Sequence, residues 1–251
     1  MYNNILDVKG LKVGQVEDRN GLTGCTVVIC EEGAVCGVDV RGGGPGTRET
    51  DLLNPINMIQ KVHAVVLSGG SAFGLESTCG VSKYLEENNI GFDVGVAKVP
   101  IVVGAVLFDL GVGNPKSRPN IEMGYRACQV ASDTKLNQGN FGAGCGATVG
   151  KIKGIEYAMK GGIGSHSIKL PNGLVVSALV AVNAFGDVYE NGKVIAGVMD
   201  DEKKNVLNSY ELMKNGVNKG GFSIDNTTIG IVATNAKLDK AGCKKVSQMA
   251  H

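Results

Sequence analysis

A layered α/β or α+β fold is what the sequence predicts, and three observations predict it. Apolar runs of strand length, at 62–67, 174–182 and 227–233, alternate with segments of helical periodicity at 71–87 and 237–250. Short turn-forming stretches join several of the β-rich runs, which favours hairpins over a regular doubly wound sheet. The chain also carries 38 glycines and no tryptophan in 251 residues, with no repeat period, so tight turns and close backbone approaches tie the elements together.

Taken in order, residues 26–30 and 34–40 are β-rich runs around Glu31-Glu32-Gly33 and read as a hairpin. A glycine loop follows at 42–46. The strand at 62–67 runs into Ser68-Gly69-Gly70-Ser71, and a helix continues to about Glu87, with Ser71 suited to the N-cap and Ala72, Leu75, Cys79 and Leu85 forming an apolar face. Residues 102–108 read as a buried strand or a short helix. Second and third glycine loops lie at 140–153 and 160–165. A long apolar strand at 174–182 ends at Asn183, and Tyr189-Glu190-Asn191-Gly192-Lys193 turns a hairpin. Residues 201–215 have helical spacing at Val206, Tyr210 and Met213. The last strand, 227–233, precedes a helix at 237–250.

Composition narrows the function. Hydrophobic residues make up 43% of the chain and charged residues 20%, too apolar for disorder. A formal net charge of +1 argues against nucleic acid as a partner, because phosphate binding needs a basic surplus. The pairs Lys203-Lys204 and Lys244-Lys245 read as solvated helix faces. The apolar runs around 101–108 and 175–182 fall short of the roughly 18–20 residues a membrane helix needs. Met1-Tyr2-Asn3-Asn4 has neither the basic start nor the apolar stretch of a signal peptide. The cysteines, at 25, 30, 36, 79, 128, 145 and 243, form no CxxC pair; a reducing, cytoplasmic setting is expected, with no structural zinc.

The glycine loops invite a nucleotide reading that their spacing does not support. Gly150-Lys151 has Cys145 where a phosphate-binding loop needs its first glycine and Ile152 where it needs Ser or Thr. The histidines at 63, 166 and 251 pair with no ligand at helical spacing, and His63 reads as structural. No metal and no cofactor are expected. Ser71 follows a strand and precedes a helix, as in a nucleophile elbow, but the GxSxG pattern is absent. Cys145 has no partner base that the sequence reveals. There remains Asp225-Asn226-Thr227-Thr228 at the head of an apolar strand. A β-branched residue there suits a strand for structural reasons alone. It suits catalysis if the bond before it is cut, because the new α-amine, with an ordinary pKa of roughly 7.7–8.0, then lies beside the Thr227 hydroxyl and serves as its base.

Seven collinear segments carry a resemblance: VDVRGGGPGTRETDLL (38–53), HAVVLSGGSAFGLES (63–77), VPIVVGAVLFDL (99–110), GNFGAGCGATVGK (139–151), MKGGIGSHS (159–167), ALVAVNAFGDV (178–188) and TTIGIVATNAKL (227–238). With these the chain resembles the DmpA-like self-processing aminopeptidases, which include the nylon-oligomer hydrolase NylC. The resemblance implies a four-layer α/β/β/α sandwich of the DmpA and ornithine acetyltransferase type, similar to the N-terminal-nucleophile hydrolases. It implies one catalytic domain over 1–251, self-cleaved between Asn226 and Thr227, with Thr227 as nucleophile, and an end of the domain beyond residue 251 that carries an acidic motif and the last strand. Asn183 matches the oxyanion-stabilising asparagine. Lys151 matches the active-site lysine of some branches, with Lys160 as the rival. Gly144, Lys160 and Ser71 are candidates for the substrate pocket. Cys145 stands where a Thr or a small residue is expected and is not read as catalytic. The implied activity is hydrolysis of small peptides, amides or esters by a homo-oligomer without nucleic-acid or membrane partners. Two other readings remain open: an acyltransferase resembling ornithine acetyltransferase, and a non-catalytic truncated homologue acting as a binding or scaffold protein.

Overall fold

The computed structural model describes residues 1–217 and 226–251. Strands β1 (Lys12–Asp18) and β2 (Thr23–Val35) form an antiparallel hairpin around the turn at 19–22. Then come β3 (Thr47–Arg48), β4 (Lys61–Ser68) and, after a 3-10 turn over Ser71–Glu76, α1 (Ser77–Glu87). A short hairpin of β5 (Phe92–Asp93) and β6 (Lys98–Val99) leads to β7 (Val102–Val106) and α2 (Ile121–Gln129). Strand β8 (Thr148–Val149) pairs with β9 (Met159–Lys160), and β10 (Gly162–Lys169) with β11 (Val175–Asn183). The hairpin of β12 (Val188–Glu190) and β13 (Lys193–Ala196), then α3 (Ser209–Lys214), β14 (Thr227–Thr234) and α4 (Lys240–Met249), complete the chain.

Among the described residues the main sheet has the order β1-β2-β4-β7-β3, and β4 and β7 are its parallel pair. A parallel pair needs a crossover, and α1 supplies it. One face of this sheet packs on α1 and α2 through Cys25, Val27, Val66, Val81, Leu85 and Ala127. The opposite face packs on the second sheet, β10-β11-β14, through Val28, Leu67, Ile163, Leu179 and Ala181, joined by Ile229 and Ile231. Helices, sheet and sheet therefore stack in that order, as the layered α/β expectation requires. The outward face of the second sheet includes Ile168, Val176 and Val232, which are exposed among the described residues.

Several expectations need correction. The segments around Glu31-Glu32-Gly33 are not a hairpin: β2 runs straight through them, and both halves pair with β4 across a bulge between Ile29 and Ala34. The third glycine loop is strand, because Gly162 and Gly164 pair with Val182 and Val180 of β11. Helix is confined to Ser209–Lys214 within 201–215; Met199 and Val206 form a bridge, and the Asn208 side chain caps the helix start. Ser71 does not cap a helix; Gly70 holds that position and Ser71 itself has φ 52°. Lys203 and Lys204 lie in a turn, and Lys244 is part-buried, its Nζ donating to the Val38 carbonyl at 2.6 Å. Strand β1 and helix α2 are additional to the elements expected.

Candidate active site

The C-terminal ends of β4 and β7 meet the end of β11 and the start of β14. Strand alternation decides which side chains face inward there. In β11 the odd-numbered residues from Val175 to Asn183 are buried, so Asn183 is the last of the row that points between the sheets. In β14 the inward row contains Ile229 and Ile231, and the same parity puts Thr227 on that face. The antiparallel register pairs Asn183 directly with Thr227. Asn226 immediately precedes the strand, and Asp225 lies outside the described residues.

The Asn183 amide is fully buried, and its orientation is dictated by its neighbours. Its Oδ1 accepts from the Thr148 amide at 3.0 Å, from the Thr148 hydroxyl at 3.3 Å and from Lys151 Nζ at 2.9 Å. Its Nδ2 donates to the Phe108 carbonyl at 2.7 Å. The Lys151 ammonium, 4% exposed, also donates to the Asn183 carbonyl at 3.1 Å. Lys151 is held in place by its own backbone, whose amide donates to the Phe185 carbonyl at 2.8 Å. A buried cation thus sits beside an oriented amide at the head of β14, an arrangement that favours negative charge developing on a nearby oxygen.

Lys160 serves another group. It pairs with Thr148 across β8 and β9, and its Nζ donates to the Cys145 carbonyl. Burial lowers its pKa, partly opposed by the nearby Cys145 and Asp109. The structure therefore brings Lys151, not Lys160, into contact with Asn183. Cys145 is buried and its thiol is pushed up by desolvation, which keeps it protonated at neutral pH. Gly144 is a packing glycine: a Cβ there would meet the Gly139 carbonyl oxygen at 2.6 Å and the Gly162 carbon at 2.7 Å. Ser71 joins the same end of the molecule through its amide, which donates to the Leu107 carbonyl at 2.9 Å. His63 stands apart; its Nδ1 accepts from the Ile101 amide at 3.2 Å, and burial lowers its pKa.

Sequence reasoning missed three residues here: Thr148, Phe108 through its carbonyl, and Asp109. Thr148 and Phe108 act through backbone or hydroxyl groups that leave no pattern. Asp109 had a signal, a single acid closing the apolar run at 101–108. None of these residues lines the open groove of about 400 Å³ beside α1 and α2, whose walls include Glu76, Lys83, Asn120 and Tyr125. Among the described residues no cluster of three or more His, Cys, Asp or Glu could hold a metal, and no helix is long and apolar enough to cross a membrane.

Comparison with known proteins gives this arrangement a family. An uncharacterized aminopeptidase of Mycobacterium leprae is 41% identical, over 99% of this chain and 72% of its own. A 6-aminohexanoate-oligomer endohydrolase of Kocuria is 27% identical, over 98% of this chain and 67% of its own. Among solved structures, the L-aminopeptidase D-Ala-esterase/amidase of Ochrobactrum anthropi, described as a variant of the Ntn-hydrolase fold, superposes with a TM-score of 0.70 at 17% identity, covering 99% of this chain and 67% of that one. A Burkholderia β-aminopeptidase gives 0.64 at 22% identity, covering 100% and 66%. The stacked sheets are thus those of the DmpA-type Ntn-hydrolase fold. The model of peptidase family S58 matches residues 3–251, and the chain belongs to that family.

Proposed function

We propose that this aminopeptidase-family chain is a self-cleaving hydrolase with Thr227 as nucleophile, one catalytic unit cut between Asn226 and Thr227. The observation that supports this best is the register pairing of Thr227 with Asn183, whose amide oxygen carries the Lys151 ammonium at 2.9 Å. In the first reaction the Thr227 hydroxyl oxygen attacks the Asn226 carbonyl carbon. The C–N bond breaks, an ester forms on Oγ1, and the nitrogen becomes a free α-amine. Water then hydrolyses the ester, leaving a carboxylate on Asn226 and restoring the hydroxyl.

In the second reaction that α-amine takes the hydroxyl proton while Oγ1 attacks the substrate carbonyl. The tetrahedral oxyanion is met by the Asn183 amide, with Lys151 supplying positive potential. The proton passes to the leaving amine or alcohol, and water releases the acyl group from Oγ1. Ser71, Lys160 and the Gly144 loop lie on elements that border this end and would shape the pocket. The substrates are small peptides, amides or esters, in keeping with relatives named as aminopeptidases and as an endohydrolase of 6-aminohexanoate oligomers. Seven free cysteines suit a reducing cytoplasm, and a homo-oligomer is the assembly proposed.

Intact-mass measurement of the purified, denatured protein tests the reading. Two fragments are expected, the second beginning at Thr227, while Thr227→Ala stays a single chain and does not hydrolyse aminoacyl p-nitroanilides. A single wild-type chain whose hydrolysis survives Thr227→Ala would overturn it.

A further inference from the structure

Asp109 is a buried carboxylate that the proposed chemistry does not use. It is 3% exposed and makes no ion pair among the described residues. Its Oδ1 accepts from the Gly70 amide at 2.7 Å, and its Oδ2 accepts from the Thr23 hydroxyl at 2.7 Å. The turn after β4 and the second glycine loop close around it: a Cβ at Gly69 or at Gly146 would overlap the carboxylate. Three separate segments therefore give up side-chain volume or a donor to hold this one group. Burial disfavours a charge here, and this is offset by two hydrogen bonds and by a Lys160 ammonium beyond ion-pair distance, so stability alone gives little reason to keep a carboxyl in place of a neutral side chain of the same shape.

The position of Asp109 supplies a reason. Its backbone neighbour is Phe108, whose carbonyl accepts a hydrogen bond from Asn183 Nδ2 at 2.7 Å. The segment just before is tied on both sides, by the Leu107 amide to the Ser68 carbonyl at 2.8 Å and by the Ser71 amide to the Leu107 carbonyl at 2.9 Å. Beyond Val106 the strand has ended, so the Phe108 carbonyl has no ladder to aim it. The Asp109 carboxylate is the bolt on its far side. We propose that Asp109 is a positioning residue, which fixes the Phe108 carbonyl and through it the orientation of the Asn183 amide. The inference rests on the reading of Asn183 as the oxyanion donor.

The sign of the linked titration separates this role from a purely structural one. Burial raises the Asp109 pKa, against the opposing pull of the Gly70 and Thr23 hydrogen bonds and of the Lys160 ammonium. A carboxyl whose folded pKa is raised contributes stability that is present below its unfolded value and is lost as pH rises through the folded one. Asp109→Asn keeps the shape and the acceptor for Gly70 and removes a group whose charged form burial disfavours, so it is expected not to lower Tm. It does loosen the Phe108–Asn183 hydrogen bond.

The test uses Asp109→Asn in the full chain and three measurements. Self-cleavage and kcat are expected to fall about ten- to a hundredfold with KM within about twofold of wild type, the scale of a misplaced catalytic group. Tm at pH 7 is expected to be no lower than wild type. The side-chain amide protons of Asn183, followed by NMR in protein labelled with ¹⁵N-asparagine and assigned by their loss in Asn183→Asp, are expected to exchange with solvent at least about tenfold faster. Wild-type amide exchange in the variant would overturn the inference, as would wild-type rates, or a loss of activity matched by a loss of Tm. If the wild-type chain itself neither cleaves nor hydrolyses, the reading of Thr227 fails, and the amide exchange still decides the role of Asp109.

Discussion

At the scale of single residues, the two candidate lysines are separated by what their ammonium groups touch. Lys151 reaches the side-chain and main-chain oxygens of Asn183, whereas Lys160 reaches the Cys145 carbonyl and faces Asp109. Removing Lys151 takes the positive charge from the amide that would meet the oxyanion. Lys151→Met is therefore expected to slow self-cleavage by about 10²–10³-fold, the usual cost of one oxyanion-stabilising group. Lys160→Met is expected to cost about tenfold at most, through repacking around Cys145. A time course of fragment appearance after rapid dilution from denaturant measures both; the reverse order would move the role to Lys160. The sequence favoured Lys151, which closes the second glycine loop, and kept Lys160, which opens the third, as the rival. Only the register of β8 against β9 and the end of β11 tells them apart, and register is a tertiary property.

Elements show where sequence reading works in this chain and where it stops. Strands β4, β11 and β14 were legible because each buries a row of branched apolar residues with matching alternation or a continuous apolar run. The start of β14 at Thr227 and the end of β11 at Asn183 fell where the residue pattern put them. The strand β10 was read as a loop because two of its first three residues are glycine, and local propensity disfavours glycine in strands. What overrides propensity is close packing: a Cβ at Gly144 would run into the backbone of Gly139, Gly162 and Ile163, and one at Gly162 would run into the backbone of Gly139. Gly144→Ala tests this. A methyl there must displace backbone, so a loss of about 1–3 kcal/mol is expected, read as a fall of several degrees in Tm. An unchanged Tm would mean that the approach of the 142–144 turn to β10 is looser than these contacts imply. The bulged β2 failed for a related reason, since Glu31-Glu32-Gly33 has turn chemistry that a bulge uses as readily as a hairpin.

Across the whole molecule, the segment beyond the proposed cut is built into the part before it. β14 pairs with β11 over eight residues and sends Ile229, Ile231 and Ala233 into the core between the sheets. Helix α4 then crosses to the other sheet's loops. Lys240 is 3% exposed and its Nζ donates to three backbone carbonyls, those of Leu52 at 3.0 Å, Asn57 at 2.8 Å and Ile59 at 2.8 Å. Lys244 adds the Val38 carbonyl at 2.6 Å and Asp39 at 3.3 Å. A buried ammonium with carbonyl partners is costly to remove, because each charge-assisted bond contributes about 1.5–3 kcal/mol and the carbonyls are left unpaired. Cutting the Asn226-Thr227 bond breaks none of these contacts, so the downstream piece is expected to co-elute with the upstream piece on native size exclusion and to separate in denaturant. Lys240→Met is expected to lower the denaturant concentration at which the two part, while leaving the cut itself in place, because Lys240 lies on the loops at 52–59 and not beside Asn183. Loss of the downstream piece from the cleaved wild-type protein on a native column would show that β14 and α4 are held by the peptide bond alone, and that the nucleophile could not stay in register with Asn183 once it had freed its own amine.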